Sequence, residues 1–120
     1  ARFDFLHQVG DAVFTHAETY SKIPLRAAGN VGHWIKSFAE PKGLVQDVRV
    51  VVQGHTHQGG SVMGDYNVLL IEGGCLCEDE EYLGSPRIQS VRPWQLGWTV
   101  LYQRQGRTDL RESRFKPLQA

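Results

Sequence analysis

Val48-Arg49-Val50-Val51-Val52-Gln53-Gly54-His55-Thr56-His57-Gln58-Gly59-Gly60 carries a β-branched, nearly all-apolar run straight into a histidine pair flanked by glycines. The run predicts a strand over 48–52 that is covered on both faces, because a half-exposed strand would alternate apolar with polar residues. Beyond it, His55 and His57 stand two residues apart. In an extended segment such residues point the same way, with Cα atoms ~6–7 Å apart. Two imidazoles on one side of a loop at a strand's C-terminal end make half of a metal site. Gly54, Gly59 and Gly60 permit the tight backbone that brings them close to a ligand. The pair alone is weak evidence, since solvated loop histidines share that spacing.

Working outward, Val9-Gly10-Asp11-Ala12-Val13-Phe14-Thr15 reads as a turn and a short buried strand ending at His16, followed by a loop over 17–24. Between residues 25 and 39 the apolar positions Leu25, Ala28, Trp34, Ile35 and Phe38 fit a helix. Gly29 and Gly32 weaken its first half, and Pro41 and Gly43 close it. If the strands ending at Thr15 and Gln53 run parallel, joined by that helix, His16 emerges at the same sheet edge as His55 and His57. Ligand sites in open α/β sheets lie outside the carboxyl ends of strands. The three histidines then form one candidate metal set.

Downstream, residues 61–63 and 66–72 read as two strands joined around Gly64-Asp65, the second ended by Gly73-Gly74. Residues 75–93 are irregular by pattern. Residues 98–103 and 108–115 form a hairpin about Gln105-Gly106. The order is strand, helix, strand, then mostly antiparallel strands: an α/β arrangement with one convincing helix.

With 120 residues, the chain is one domain or less. Lys+Arg and Asp+Glu are both 13, so no whole-chain attraction to nucleic acid or membrane follows. No apolar run approaches the ~20 residues that span a bilayer, and Ala1-Arg2-Phe3-Asp4-Phe5 lacks the pattern of a secretory signal. Cys75 and Cys77 suit a pair of reduced thiols better than a crosslink closing so small a loop, which favours a cytoplasmic setting. A structural zinc site there would need further ligands that the neighbourhood does not offer. The acidic run Glu78-Asp79-Glu80-Glu81 reads as a solvated face. Arg104, Arg107, Arg111, Arg114 and Lys116, set against Asp109 and Glu112, read as an exposed hairpin of mixed charge, although phosphate contact is open to them. Trp94 and Trp98 are expected in the core or over the metal edge. Glu18 is a solvated loop residue or an orienting partner of His16. His33 belongs on the helix surface or against Trp34, and His7 carries no argument.

Phe14-Thr15-His16, a helix, and then Gln53-Gly54-His55-Thr56-His57 resembles the calcineurin-like metallophosphoesterases. In that family one strand ends in a lone metal-binding His and a second ends in Gly-His-x-His. Ile71-Glu72-Gly73-Gly74 and Gly97-Trp98-Thr99-Val100-Leu101 look like its final strands, so the resemblance covers most of residues 9–104. It implies a single partial domain over 1–120: the C-terminal half of a metallophosphoesterase-type α/β/β/α sandwich, with a mixed sheet and few helices. It further implies that His16 and His55 bind one metal and His57 the other, the two divalent ions being Mn, Fe, Co or Zn. Such ligands must be neutral, so binding should fail on acidification. The implied activity is hydrolysis of a phosphomonoester or phosphodiester, with nucleotides and nucleic acid among the candidate substrates.

The family's earlier motifs, an Asp-x-His pair, a bridging Asp and an Asn-His pair, have no counterpart here. Gly10-Asp11 would leave no room for the lone His before Gly54, and Val31-Gly32 interrupts Gly29-Asn30 and His33. The chain is therefore expected to be inactive alone and to need an N-terminal half in cis or in trans. A rival reading is a non-catalytic protein-interaction module on a degenerate phosphoesterase fold. A cupin-type barrel would want Glu four or five residues after the second His, where Ser61 and Val62 stand.

Overall fold

The valine run becomes the middle strand of the sheet. The computed structural model describes residues 6–16, 25–54, 59–74 and 96–118. Strands β1 (Leu6–Val9), β2 (Ala12–Thr15), β3 (Val50–Gln53), β4 (Gly59–Met63) and β5 (Leu69–Gly73) form one five-stranded sheet in the order β1-β2-β3-β5-β4. The inner strands β2, β3 and β5 are parallel, and β1 and β4 flank them antiparallel. The fold is mixed α/β.

Parallel neighbours need a crossover. Between β2 and β3 it includes α1 (Arg26–Trp34), continued by a π-helical turn over Ile35–Ala39. The helix extends as far as its apolar pattern predicts, and the two glycines do not break it. A Cβ on Gly32 would stand 3.1 Å from Leu70 Cδ2 and 3.9 Å from Val51 Cγ2. The glycine that lowers helix propensity also lets the helix axis approach the sheet.

Alternation along the strands explains why the valines are uninterrupted. Val51, with Val13 and Leu70, packs against Ala28, Val31 and Ile35 of the helix layer. Val50 and Val52, with Ala12, Leu69 and Ile71, pack on the other face against Phe115. That residue comes from a second layer of four short strands: β6 (Gly97–Val100), β7 (Gln103–Arg104), β8 (Arg107–Thr108) and β9 (Arg114–Pro117). Helix, sheet and strand ribbon thus make three layers around the valine strand. Each fully buried Val contributes on the order of 1.5–3 kcal/mol. Among the described residues, no helix is long and apolar enough to cross a membrane.

Several local expectations are corrected. Leu6–Val9 forms an edge strand that the sequence does not announce, because His7 and Gln8 hide its pattern. Tyr66 does not begin a strand: Asp65–Asn67 is a 3-10 turn with Tyr66 at φ 62 and Asn67 at φ 57, so β5 starts at Leu69. The terminal hairpin is split. Val100 pairs Arg114 and Gln103 pairs Thr108, so two residues on one arm face five on the other. Asp109 builds that insertion, its Oδ1 accepting the N–H groups of Arg111 at 3.0 Å and Glu112 at 3.2 Å. Trp98 is not a core residue; it is 45% exposed. Arg107 forms an exposed ion pair with Asp47 at 3.1 Å, in keeping with a solvated, mixed-charge hairpin.

Asp11 locks the hairpin onto the N-terminal edge of the sheet. Buried at 3% exposure, its carboxylate accepts the Thr108 N–H at 2.9 Å and the Thr108 hydroxyl, with Arg49 Nη1 at 3.5 Å. Its own N–H donates to Gly106 O at 2.9 Å. Gly10, at φ +60, must be glycine here, since a Cβ would meet Gly106 O at 2.7 Å. Removing the carboxylate strands a buried N–H and a hydroxyl, each costing about 1–3 kcal/mol. Asp11→Ala is therefore expected to lower unfolding free energy by about 3 kcal/mol in urea titration; a loss under about 1 kcal/mol would contradict the lock.

Candidate metal centre

Register decides what meets at the opposite edge. Thr15 pairs Gln53 and Gln53 pairs Glu72, so the three parallel strands end at one level. The Gly54 N–H then donates to Thr15 O at 2.8 Å, carrying the β2–β3 ladder one step further. His16 and Gly54 consequently lie side by side. A Cβ on Gly54 would come within 3.4 Å of His16 Cδ2, so glycine leaves the space beside the imidazole open.

His16 is exposed and borders an open cleft of about 350 Å³, whose walls include His7 on β1, Phe14 on β2 with His16 just after it, and Val52 and Gln53 on β3 with Gly54 just after them. His55 and His57 lie outside the described residues, as do Glu18, Cys75, Cys77, Trp94 and the acidic run. Both described flanks of the His-Thr-His segment are at this edge: Gly54 follows β3, and Gly59 opens β4 opposite Gly73. Among the described residues, no three His, Cys, Asp or Glu side chains form a group able to hold a metal.

Of the expected ligands, His16 is thus the one whose setting is described, and that setting fits a ligand. Its imidazole is exposed at a strand's carboxyl end, beside a glycine and over a cleft. Asp11 is at the other end of β2, about 16 Å away by strand rise, which agrees with its structural part. His33 is exposed on α1, its ring centroid 6.2 Å from that of Tyr66. It does not join the edge.

Two polar residues at the edge escape the sequence reading. Gln53 and Glu72 are 0% and 1% exposed. By alternation they share the α1 face with Val51 and Leu70. Gln53 Nε2 donates to Gly54 O at 2.9 Å, and Glu72 Oε2 accepts the Leu25 N–H at 2.9 Å. A carboxylate at the start of α1 also meets the positive end of the helix dipole. The signal is present in the sequence: each is the first polar residue after an apolar strand run, as Thr15 is on β2. His7 also faces the cleft, from the β1 position paired with Phe14, on a strand whose own residues carry no apolar pattern.

No known family's sequence model, no curated protein and no solved structure matches this chain.

The close approach at Gly54 is testable. Gly54→Ala should retain the fold, since 3.4 Å is ordinary van der Waals contact, but should shift the His16 Cδ2–Hδ2 NMR cross-peak. An unmoved cross-peak in a folded variant would show that the ring does not lie beside Gly54.

Proposed function

We propose that this chain is the histidine-bearing half of a metal-dependent phosphoesterase, with His16, His55 and His57 as ligands of two divalent ions. One observation supports the reading above all: β2 and β3 are parallel neighbours in the Thr15–Gln53 register, with Gly54 bonded to Thr15. That arrangement sets His16 beside the entry to Gly-His-Thr-His, which separate loop histidines would not require. The helix–sheet–ribbon layering is compatible with one half of an α/β/β/α sandwich.

Divalent ions held there would bind phosphoryl oxygens and lower the pKa of a bound water, the chemistry of two-metal hydrolysis. The chain's own contributions are narrower. His16 presents an imidazole at the strand end, and Gly54 keeps the adjacent space clear. The cleft past Phe14 and Val52 offers room for the organic part of a phosphomonoester or phosphodiester, nucleotides and nucleic acid included. A mixed nitrogen and oxygen shell suits Mn, Fe, Co or Zn. The oxygen ligands belong to the complementary N-terminal half, in cis or in trans, and the thiols of Cys75 and Cys77 accord with a reducing cytoplasm.

Calorimetric titration with Co²⁺ tests the ligand set. His16→Ala should weaken binding at least about tenfold, and equal affinity in the folded variant would contradict it. The 120-residue chain with Mn²⁺ should not hydrolyse bis(p-nitrophenyl) phosphate above buffer. Robust hydrolysis lost on His55→Ala would overturn the division of the site between two halves. Absence of Asp-x-His, Gly-Asp-x-x-Asp and Gly-Asn-His motifs from the complementary half would favour a protein-interaction module instead.

A further inference from the structure

The residue before the Gly-His-Thr-His segment is unusual for its place. Gln53 ends a strand whose other members are valines, and its side chain is wholly buried. A long polar side chain there loses its hydration and part of its rotamer freedom. Leu or Val would pack the same space without that cost. The structure gives the amide a specific task, since Nε2 donates to Gly54 O at 2.9 Å.

That bond acts on a peptide already held from the other side. The Gly54 N–H is bonded to Thr15 O at 2.8 Å. The two peptide groups flanking Gly54 are therefore each fixed: the one before it through its N–H, the one after it through its carbonyl. A glycine would otherwise be the freest hinge in the segment. The second of these peptide groups is the one that joins Gly54 to His55, so its plane sets the direction in which the chain leaves β3.

We propose that Gln53 is a positioning residue for the metal ligands: it clamps the Gly54 carbonyl and so fixes the chain's exit toward His55 relative to His16. The inference rests on the metal reading of the preceding subsection. Gln53 touches neither metal nor substrate in this role; it acts through backbone. Glu72, its register partner on β5, reinforces the same edge by holding the Leu25 N–H at the start of α1. Polar groups that orient ligands from behind contribute about 10–100-fold to metal affinity.

The test compares wild type with Gln53→Met, which keeps length and bulk but has no donor. Gln53→Asn keeps an amide but falls one methylene short of Gly54 O, and carries the test if the Met variant does not fold. Two quantities are read in the folded protein: the Co²⁺ dissociation constant, and hydrogen exchange at the Gly54 amide. Exchange at Gly54 should quicken at least about tenfold, and Co²⁺ affinity should fall about 10–100-fold, while near-UV circular dichroism stays native. An unaltered affinity beside a tight-binding wild type would overturn the inference alone, since a merely structural Gln53 would change stability and not affinity. Unaltered Gly54 exchange would overturn the clamp. A wild-type chain that binds no Co²⁺ would remove the metal reading and this inference with it.

Discussion

Parallel pairing of β2 with β3, in the register that sets Thr15 opposite Gln53, is the constraint on which the other features depend. It obliges the chain to cross over through α1, which supplies the cover for Val13, Val51 and Leu70. It leaves Val50 and Val52 for the ribbon that carries Phe115. It also gives the sheet two unlike ends. At the N-terminal end Asp11 locks the hairpin through Thr108 and Gly106. At the C-terminal end His16 and Gly54 meet over an open cleft. Stabilising hydrogen bonds and candidate chemistry are thus separated by the length of one short strand.

The C-terminal edge is expensive to build. Gln53 and Glu72 are buried polar groups, and a buried group without hydrogen bonds costs on the order of 1–3 kcal/mol, more if charged. Both are used structurally, one on Gly54 O and the other on the Leu25 N–H. Removing either side chain would leave the backbone group it bonds without that partner, at a cost in stability. Both side chains thereby fix backbone at the edge where His16 borders the open cleft. Leu25 itself sits at φ 67, a costly conformation for a non-glycine residue. The start of α1 is accordingly held by its docking onto Glu72 rather than by local preference.

Much of this was legible in the residues. The valine run announced a two-faced strand, and the apolar positions between Leu25 and Phe38 announced the helix that covers it. What sequence missed has physical causes. β1 is four residues long, with His7 and Gln8 in the middle, and its strand character comes from pairing with β2 rather than from its own pattern. The extra turn at Asp109 interrupts a hairpin that looked continuous, because a side-chain oxygen capturing two amides leaves no trace in hydrophobic periodicity. Gln53 and Glu72 look like ordinary strand ends until the register puts them side by side. For the site, His16 could be placed from the strand preceding it, whereas nothing in the sequence showed that Gly54 would be clamped from both directions.

Convergence of the metal ligands at one edge is tested most directly by paramagnetic broadening with Mn²⁺. In a ¹⁵N-labelled chain, substoichiometric Mn²⁺ should broaden the amides of His16, Gly54 and Gly73 first, and spare Asp11, Gly106 and Thr108 at the other end of the sheet. Broadening that begins at the Asp11 end, or that spreads evenly over both ends, would contradict a metal centre at the carboxyl edge of β2 and β3.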